Sequence, residues 1–467
     1  KSVPEERRGF DAVIGNPPYI RINRLVDVYP KEARFIQAAY PSASFGKVDI
    51  YVPFVERGFW LLSGRGRLGF IVPNKFIRSE YGRRIREILA KAGAVESILD
   101  FGHAQVFPGA TTYTCLLFLA RKPSPSVLVA SNESGRHPSD FLESLRIEEV
   151  PRSTLTAQPW LLRGRLHALL MGKLERGSSV LGDIAETAIT GVKTGRNSVF
   201  SFECLEDRGR TLLLQAEGSH EVVELESVYV IPYCKAESLK RYACAPRNRR
   251  LLYPYQLVGD ATVLVPEDVL RRTAPLSWHH LNRYRAALER RERGKRAVSA
   301  WYGLSFASDM RMFRGPKIAT ATLATSNAFS VDYSGCAFPQ GAGGGCGIMP
   351  KRIEELYALL AIMNSRLLTY QFQSISSRFQ GGWFAYEPRY LRRMSIRLPS
   401  SRTDEGRGFL AILDEAAREL TRLHAALSEA TTSLDCERLK RESAAMEKRV
   451  DRIVYDLYGL TDDEIAL

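Results

Sequence analysis

Apolar residues in the first quarter of the chain form short strand-like runs that alternate with segments of helical spacing. The strand-like runs cover residues 10–15, 67–72, 95–101 and 113–120, and helical spacing covers 50–62 and 79–92. Ser79 is a plausible N-cap for the second of these helices. Strands that alternate with helices are typical of a mostly parallel sheet. The pattern therefore predicts an α/β fold with part of a doubly wound sheet.

A Pro- and Ser-containing segment, residues 121–126, interrupts this pattern like a linker. Beyond it, residues 127–400 mix short β runs, such as 227–231 and 317–322, with a helix over 354–370. Residues 403–467 are helical in spacing and nearly balanced in charge. The sequence thus predicts three regions: 1–126, an α+β region over 127–400, and a helical C-terminal region over 401–467.

The composition is that of a globular protein: 45% of the 467 residues are hydrophobic and 25% are charged. No apolar run approaches the roughly 20 residues that a membrane span needs. The first residues lack the apolar segment of a signal peptide. Seven scattered cysteines form no CxxC pair and no zinc-ligand spacing, which favours reduced thiols and no metal site. We therefore expect a cytoplasmic protein with no membrane partner.

Positive charge is concentrated in two stretches of the chain. Lys and Arg number 66 against 52 Asp and Glu, a net charge of +14. Residues 235–317 carry 18 basic against 7 acidic side chains, and residues 1–122 carry 19 against 11. This balance favours a polyanionic partner, nucleic acid first, with a merely solubilising surface as the alternative. We expect both stretches to border one cleft.

The most informative motif is Asn16-Pro17-Pro18-Tyr19, directly after the first strand. In open α/β sheets, ligands bind beyond the carboxyl ends of the strands. The two prolines hold the loop extended and leave its carbonyls available. Asn16 adds an amide acceptor and Tyr19 a flat apolar face. These acceptors and the flat ring suit an exocyclic amino group on a planar ring. The alternative is a purely structural Pro-Pro turn that ends the strand.

Residues 10–21, which contain this motif, resemble the catalytic motif of the amino-methylating DNA adenine methyltransferases. The similarity continues through 47–54, 66–74 and 105–113, and more loosely through 189–197, 360–368 and 381–390. The closest resemblance is to TaqI-type methyltransferases and type IIG restriction–modification enzymes. It implies a Rossmann-like methyltransferase sheet followed by a target-recognition domain and a helical C-terminus.

The resemblance also implies roles for single residues. Asn16 and the Pro17 carbonyl would accept hydrogen bonds from the adenine amino group, which would attack the methyl group of S-adenosylmethionine. Tyr19 would stack on the flipped base and Phe107 would contact its other side. Phe54 would touch the cofactor. A core role is the alternative for both Phe107 and Phe54.

Several residues of the later regions are candidate contacts to double-stranded DNA because they combine charge, amide or aromatic chemistry with loop positions or the basic stretch. They are Lys193, Arg196, Asn197, Arg241, Arg378 and Trp383. Solvated turn residues and aromatic packing at a sheet corner are the alternatives.

One departure from the family pattern bears on activity. The family's cofactor fingerprint precedes the Asn-Pro-Pro-Tyr motif, but only fifteen residues precede Asn16. We therefore expect a C-terminal portion of a larger enzyme, whose missing N-terminal part would be its partner, and an inactive isolated chain. The function predicted is site-specific DNA adenine-N6 methylation. The alternatives are a DNA-specificity module without catalysis and a protein-glutamine methyltransferase.

Overall fold

The computed structural model describes residues 8–44, 48–102, 104–107, 112–132, 136–160, 162, 165–245, 248–291, 300–313 and 315–466. The chain forms two compact units. The first comprises residues 1–173 with 379–382 and 467, and the second comprises 174–378 and 383–466. No helix among the described residues is long and apolar enough to cross a membrane.

The first unit alternates strands and helices in the predicted order. Its strands are β1 (Phe10–Gly15), β2 (Leu62–Pro73), β3 (Val95–Asp100), β4 (Thr114–Ala120), β5 (Ser126–Ser131) and β6 (Glu148–Pro151). Its helices are α1 (Ile22–Val28), α2 (Pro30–Ala39), α3 (Tyr51–Trp60), α4 (Arg83–Lys91) and α5 (Pro138–Glu143), and α6 (Arg165–Glu175) runs into the second unit.

The six strands form one sheet in the order β1-β2-β4-β3-β5-β6. Strands β1, β2, β3 and β5 run in one direction, as the sequence predicts. Strands β4 and β6 run the opposite way, and β4 lies between β2 and β3. The α/β fold with parallel strands is confirmed. The sheet is mixed rather than mostly parallel, because both parallel and antiparallel pairs of neighbouring strands occur in it.

The two faces of this sheet bury different amounts of apolar surface. Leu117 and Leu119 of β4 face the main core, which α3 and α4 cover. Leu116 faces the opposite side, where a smaller cluster forms around Phe141 of α5. This alternation follows from the period of two along a strand.

Predicted Ser79 is not an α-helical N-cap: it precedes a 3₁₀ turn, and α4 starts at Arg83 because the intervening residues form that turn.

The second unit is α+β. Its strands are β7 (Ser179–Val180), β8 (Ala185–Thr190), β9 (Ser201–Asp207), β10 (Thr211–Ala216), β11 (Val222–Glu226), β12 (Val230–Pro232), β13 (Leu239–Lys240), β14 (Ala243–Cys244), β15 (Arg249–Leu252), β16 (Tyr255–Val258), β17 (Ala261–Leu264), β18 (Lys317–Ala321), β19 (Leu323–Ala324), β20 (Phe329–Asp332), β21 (Gly345–Pro350), β22 (Phe384–Ala385) and β23 (Ser395–Ile396). Its helices are α7 (Leu181–Ile184), α8 (Asn197–Phe200), α9 (Glu267–Thr273), α10 (Pro275–Arg283), α11 (Arg285–Glu289), α12 (Leu356–Asn364), α13 (Arg366–Ile375), α14 (Pro388–Leu391), α15 (Asp404–Glu429), α16 (Ser433–Tyr458) and α17 (Asp462–Ile465).

Two larger sheets organise this unit, with strand orders β11-β10-β9-β15-β12 and β20-β18-β21-β8. Helix α12 is buried along its whole length, which its almost entirely apolar sequence permits, and it packs against the long helix α15. The predicted helix 354–370 is broken at Ser365, whose hydroxyl accepts a hydrogen bond from Leu368 N as the N-cap of α13. The seven cysteines are free, although Cys234 Sγ and Cys336 Sγ lie 2.7 Å apart.

The two compact units of the structure differ in extent from the three predicted regions. Residue 126 opens β5, which pairs with β3 inside the first sheet, so the first unit continues to residue 173. Composition alone signalled a linker at 121–126, where there is a turn between two strands. The C-terminal helices are as predicted in type, but they belong to the second compact unit and form no separate body.

Candidate functional site

The Asn16–Tyr19 loop leaves the sheet at the carboxyl end of β1. Pro17 is buried, while Asn16 and Pro18 are exposed. Among the described residues, none forms a hydrogen bond with the Asn16 side chain. The amide is therefore available to a ligand at the edge of the sheet where open α/β folds bind one.

The Tyr19 side chain is held at both ends. Its hydroxyl donates a hydrogen bond to the Ile71 carbonyl of β2 at 3.1 Å. Its ring meets the edge of Tyr51 with centroids 6.4 Å apart and planes at 79°. Burial raises the pKa of Tyr19 to about 12, so its hydroxyl stays a neutral donor at ordinary pH. The ring is thus fixed in orientation and remains partly exposed.

A cavity of about 430 Å³ opens beside the Tyr19 ring. It lies within the first unit and collects side chains from four segments that are distant in sequence. Its lining residues are Tyr19, Ile20, Arg21, Arg24, Asp49, Pro73, Lys75 and Thr112. A volume in this range suits a small planar ligand.

Backbone hydrogen bonds bring these segments together. Ile22 N donates to Val48 O at 2.9 Å and Ile50 N donates to Ile20 O at 2.8 Å, which sets Arg21 opposite Asp49.

At the end of β2, the Asn74 backbone N–H donates to Tyr113 O at 3.0 Å. The Asn74 side-chain amide donates to Asp100 Oδ1 at 2.7 Å. Lys75 and Thr112 are therefore carried by backbone that is fixed at the neighbouring residues.

The electrostatics of the cavity are dominated by cations. Arg21, Arg24 and Lys75 form no ion pair within 4.0 Å with any part of the chain that the structure describes. The one carboxylate in the lining is Asp49, whose pKa burial raises while Arg21 and Lys75 act to lower it. The cavity therefore offers a positive field to a ligand.

A buried arginine that the sequence analysis missed supports this region. Arg86 is fully buried, and its guanidinium donates to the carbonyls of Phe76 at 2.5 Å, Ser79 at 2.7 Å and Ala157 at 3.1 Å. Burial lowers its pKa to about 10, which leaves it charged at neutral pH. Three carbonyls on one guanidinium fix the segment that follows Lys75. No local pattern distinguishes Arg86 from the exposed arginines beside it.

The two predicted aromatic contacts lie outside the cavity lining. Phe107 is half-buried, and residues 108–111, which follow it, lie outside the described part of the chain. Phe54 is 47% exposed on α3, so the core role that was its alternative does not hold. Their contacts to base and cofactor stay predictions.

In the second unit, the predicted loop 193–197 is rigidly held. Lys193 exchanges two backbone hydrogen bonds of 2.9 Å with Phe306. The Thr194 carbonyl accepts a hydrogen bond from the buried Arg291 guanidinium at 2.6 Å. Arg291 also donates to the carbonyls of Trp301 and Gly303. Because these partners are remote along the chain, no local sequence pattern predicts the role of Arg291.

The polar side chains of this loop divide into two kinds. The Thr194 hydroxyl donates to Asn197 Oδ1 at 2.6 Å, so that oxygen closes the turn. Lys193, Arg196 and Asn197 are exposed, and all three remain the loop's candidate DNA contacts.

The other three candidates differ in availability. Arg241 pairs with Glu447 at 2.7 Å and donates to Asn327 O at 3.1 Å. Its contact to DNA stays a prediction. Arg378 is half-buried over the Phe384 ring at 5.7 Å, and Trp383 is 45% exposed.

The mixed α/β sheet and its Asn-Pro-Pro-Tyr loop are the features expected of a restriction–modification methyltransferase, and comparisons with known proteins agree with this class. Residues 2–107 match the Eco57I restriction-modification methylase family. The resemblance to restriction–modification methyltransferases expected from the sequence is thereby confirmed.

Two relatives extend this similarity to both units. The chain is 24% identical over 478 residues to the type II restriction enzyme and methyltransferase RM.Eco57I of Escherichia coli, covering 97% of this chain and 46% of that protein. It is 23% identical over 468 residues to the type II methyltransferase M.PaeR7I of Pseudomonas aeruginosa, covering 97% of this chain and 71% of that protein. The chain thus spans less than half of the first relative.

The fold is shared with a solved structure. The type IIL restriction-modification enzyme MmeI, determined in complex with DNA, matches with a TM-score of 0.60 at 12% identity. The match covers 97% of this chain and 55% of the MmeI chain. At this identity the likeness concerns the fold.

Proposed function

We propose that this chain is the catalytic and target-recognition portion of a site-specific DNA adenine-N6 methyltransferase of the restriction–modification type. The observation that carries the proposal is the Asn16–Tyr19 loop at the carboxyl end of β1: the Asn16 amide has no hydrogen-bond partner among the described residues, and the fixed Tyr19 ring lines a cavity whose lining does not include Asn16. The relatives named above support the reaction class. We also propose that the enzyme is cytoplasmic and acts on DNA.

The proposed chemistry uses acceptors that the loop already presents. The Asn16 amide oxygen and the Pro17 carbonyl accept hydrogen bonds from the amino group of a flipped adenine. These bonds favour a tetrahedral amino nitrogen, whose electron pair can then attack a methyl carbon in line. As the nitrogen–methyl bond forms, the methyl–sulfur bond of the donor breaks with its electron pair left on sulfur, and the amino group gives up one proton to water. The strength of preorganised acceptors in such a site comes from their fixed position. No covalent enzyme intermediate is required.

S-adenosylmethionine, when bound, supplies the electrophilic methyl group. One feature of the chain fits such a donor: the Phe54 ring stands out of the core, where it can contact a bound cofactor. We assign Phe54 a contact to the cofactor and Asn16 a contact to the base.

Tyr19 holds the base in this proposal. A base extruded from the duplex needs a flat partner, because stacking replaces part of what the helix supplied. The hydroxyl's hydrogen bond to Ile71 keeps the ring on the cavity wall. Phe107 is the proposed partner on the other side of the base.

The second unit is proposed to read the DNA sequence. Lys193 and Arg196 extend from a loop that Arg291 makes rigid, which suits contacts to phosphates or base edges. Arg378 and Trp383 are further candidate contacts. A dedicated unit of this size supports a DNA substrate over a protein glutamine.

The test is methyl transfer from radiolabelled S-adenosylmethionine to DNA by the protein that contains this chain. We expect label in DNA with the wild type and with Asn23→Ala, an exposed control on α1 outside the cavity. Asn16→Ala should lose the transfer. Label in an added protein substrate instead of DNA would overturn the proposal in favour of glutamine methylation. Transfer that survives Asn16→Ala unchanged would remove the proposed site.

A further inference from the structure

The wall of the Tyr19 cavity carries more positive charge than binding a neutral base requires. Arg21, Arg24 and Lys75 all line it, against the single carboxylate of Asp49. A flat ring such as Tyr19 and two backbone or amide acceptors suffice to hold an adenine. The three cations therefore indicate that the ligand also carries a negatively charged group.

We propose that Arg21, Arg24 and Lys75 form a cradle for the backbone phosphate of the extruded nucleotide. The inference rests on the proposed function, since its ligand is the nucleotide whose base lies against Tyr19. Cations beside an aromatic face in one cavity are the combination that single-stranded nucleic acid needs, because phosphate and base are recognised by different chemistry.

The arrangement of the cations suits an anion that offers more than one oxygen acceptor, as a backbone phosphate does. Arg21 precedes α1 and lies opposite Asp49, whereas Lys75 follows the end of β2. Side chains that approach from two separate segments can contact different oxygens of one phosphate. The guanidinium groups offer forked N–H donors and Lys75 offers a point charge.

Asp49 is the one carboxylate in the lining of the cavity, as far as the structure describes the chain. It is half-buried, and no cation lies within 4.0 Å of its carboxylate in the described chain. Arg21 and Lys75 nevertheless act on it electrostatically. In the described chain, no ion pair to Asp49 engages the donors of Arg21 or Lys75, so these donors stay available to a phosphate.

The experiment compares three probes that separate base from phosphate. Deoxyadenosine, deoxyadenosine 3′,5′-bisphosphate and inorganic phosphate are titrated against the chain at low salt by NMR chemical-shift perturbation. We expect the bisphosphate to bind about tenfold or more tightly than either other probe. Lys75→Gln and Arg21→Gln should each weaken bisphosphate binding about threefold to tenfold and leave deoxyadenosine binding within about twofold.

Two variants control for charge and folding. Lys91→Gln removes the same charge from α4, where Lys91 pairs with Glu87 outside the cavity, and should leave every probe unaffected. Lys75→Arg keeps the charge and should restore bisphosphate binding. Thermal unfolding of each variant, followed by circular dichroism, reports whether the fold is retained.

Three results would overturn the cradle. The first is a bisphosphate affinity no greater than that of deoxyadenosine, and the second is no measurable bisphosphate binding. The third is an equal loss of bisphosphate affinity in Lys91→Gln and Lys75→Gln. Failure of the proposed function looks different: deoxyadenosine binding would then be insensitive to Tyr19→Ala while the cations still bound phosphate.

Discussion

Asn16 presents its side chain to a ligand without using it for the fold. Since no described residue hydrogen bonds to its amide, Asn16→Ala should change the free energy of unfolding by less than about 0.5 kcal/mol. The rate of methyl transfer should fall about a hundred- to a thousandfold, because the lost acceptor acts mainly in the transition state. Single-turnover kinetics and DNA anisotropy separate the two effects. Unchanged turnover with weakened DNA binding would contradict the role.

Tyr19 illustrates a role that the sequence only half predicts. The ring was expected to stack on a base, but the hydroxyl also holds that ring through Ile71. Tyr19→Phe should therefore cost about 0.5–1.5 kcal/mol of base retention, the net value of one hydrogen bond. Tyr19→Ala should cost more, because it also removes about 1–3 kcal/mol of stacking. Fluorescence of 2-aminopurine at the target position measures both, and equal losses would contradict the stacking role.

The protonation state of Tyr19 gives a pH prediction. Its folded pKa is raised to about 12 from an ordinary value near 10, so the neutral donor persists below both values and is lost only as pH rises toward 12. Retention of 2-aminopurine should therefore show no transition from Tyr19 between about pH 7 and 9.5. A wild-type transition in that window that Tyr19→Phe abolishes would contradict the assigned environment.

At the level of elements, the loop 193–197 depends on a glycine. Gly195 has φ +73°, and a Cβ there would clash with Ser305 Oγ and meet Arg291 Cδ at 3.0 Å. Gly195→Ala should destabilise the second unit by more than the roughly 1–2 kcal/mol of a left-handed residue alone. It should also weaken DNA binding.

Gly209→Ala is the matched control for that loop. Gly209 has φ +80° in a hairpin turn with nothing within 4 Å of an added Cβ. Gly209→Ala should lower the free energy of unfolding because its backbone is left-handed, and it should leave DNA binding unchanged. Thermal unfolding and DNA anisotropy of both variants make the comparison. Equal effects on DNA binding would show that the loop's position does not matter.

The elements themselves were largely predictable where one local pattern sets them. β1, β3 and β4 lie within a residue of their predicted bounds because short apolar runs set them. The reversal of β4 was not predictable, since an apolar run does not encode strand direction. The break at Ser365 was missed because the apolar spacing continues through it. The guanidinium contacts of Arg86 and Arg291 were missed because their partners are non-local.

At the scale of the whole molecule, much of the basic stretch 235–317 is internally neutralised. Nine of its cations form ion pairs among the described residues. They are Lys235, Arg241, Arg249, Arg271, Arg272, Arg283, Arg285, Arg311 and Lys317. The count of basic residues in the sequence therefore overstates the charge available to DNA.

Salt dependence measures the charge that remains. Each neutralised phosphate contributes about −0.9 to the slope of the logarithm of the DNA-binding constant against the logarithm of salt concentration. Contacts by a few free cations therefore predict a slope of about −3 to −6. Arg196→Gln should reduce its magnitude by about one. Titrations of DNA binding between low and physiological salt give the slope directly. A slope near zero would contradict a phosphate-based interface.

The central claim is that the Asn16–Tyr19 loop methylates the amino group of adenine. The most direct measurement is mass spectrometry of the nucleosides released from DNA after reaction with the protein that contains this chain and isotope-labelled S-adenosylmethionine. We expect labelled N6-methyldeoxyadenosine, formed about a hundred- to a thousandfold more slowly with Asn16→Ala. Label in a cytosine nucleoside, or in N6-methyldeoxyadenosine at an undiminished level with Asn16→Ala, would contradict it.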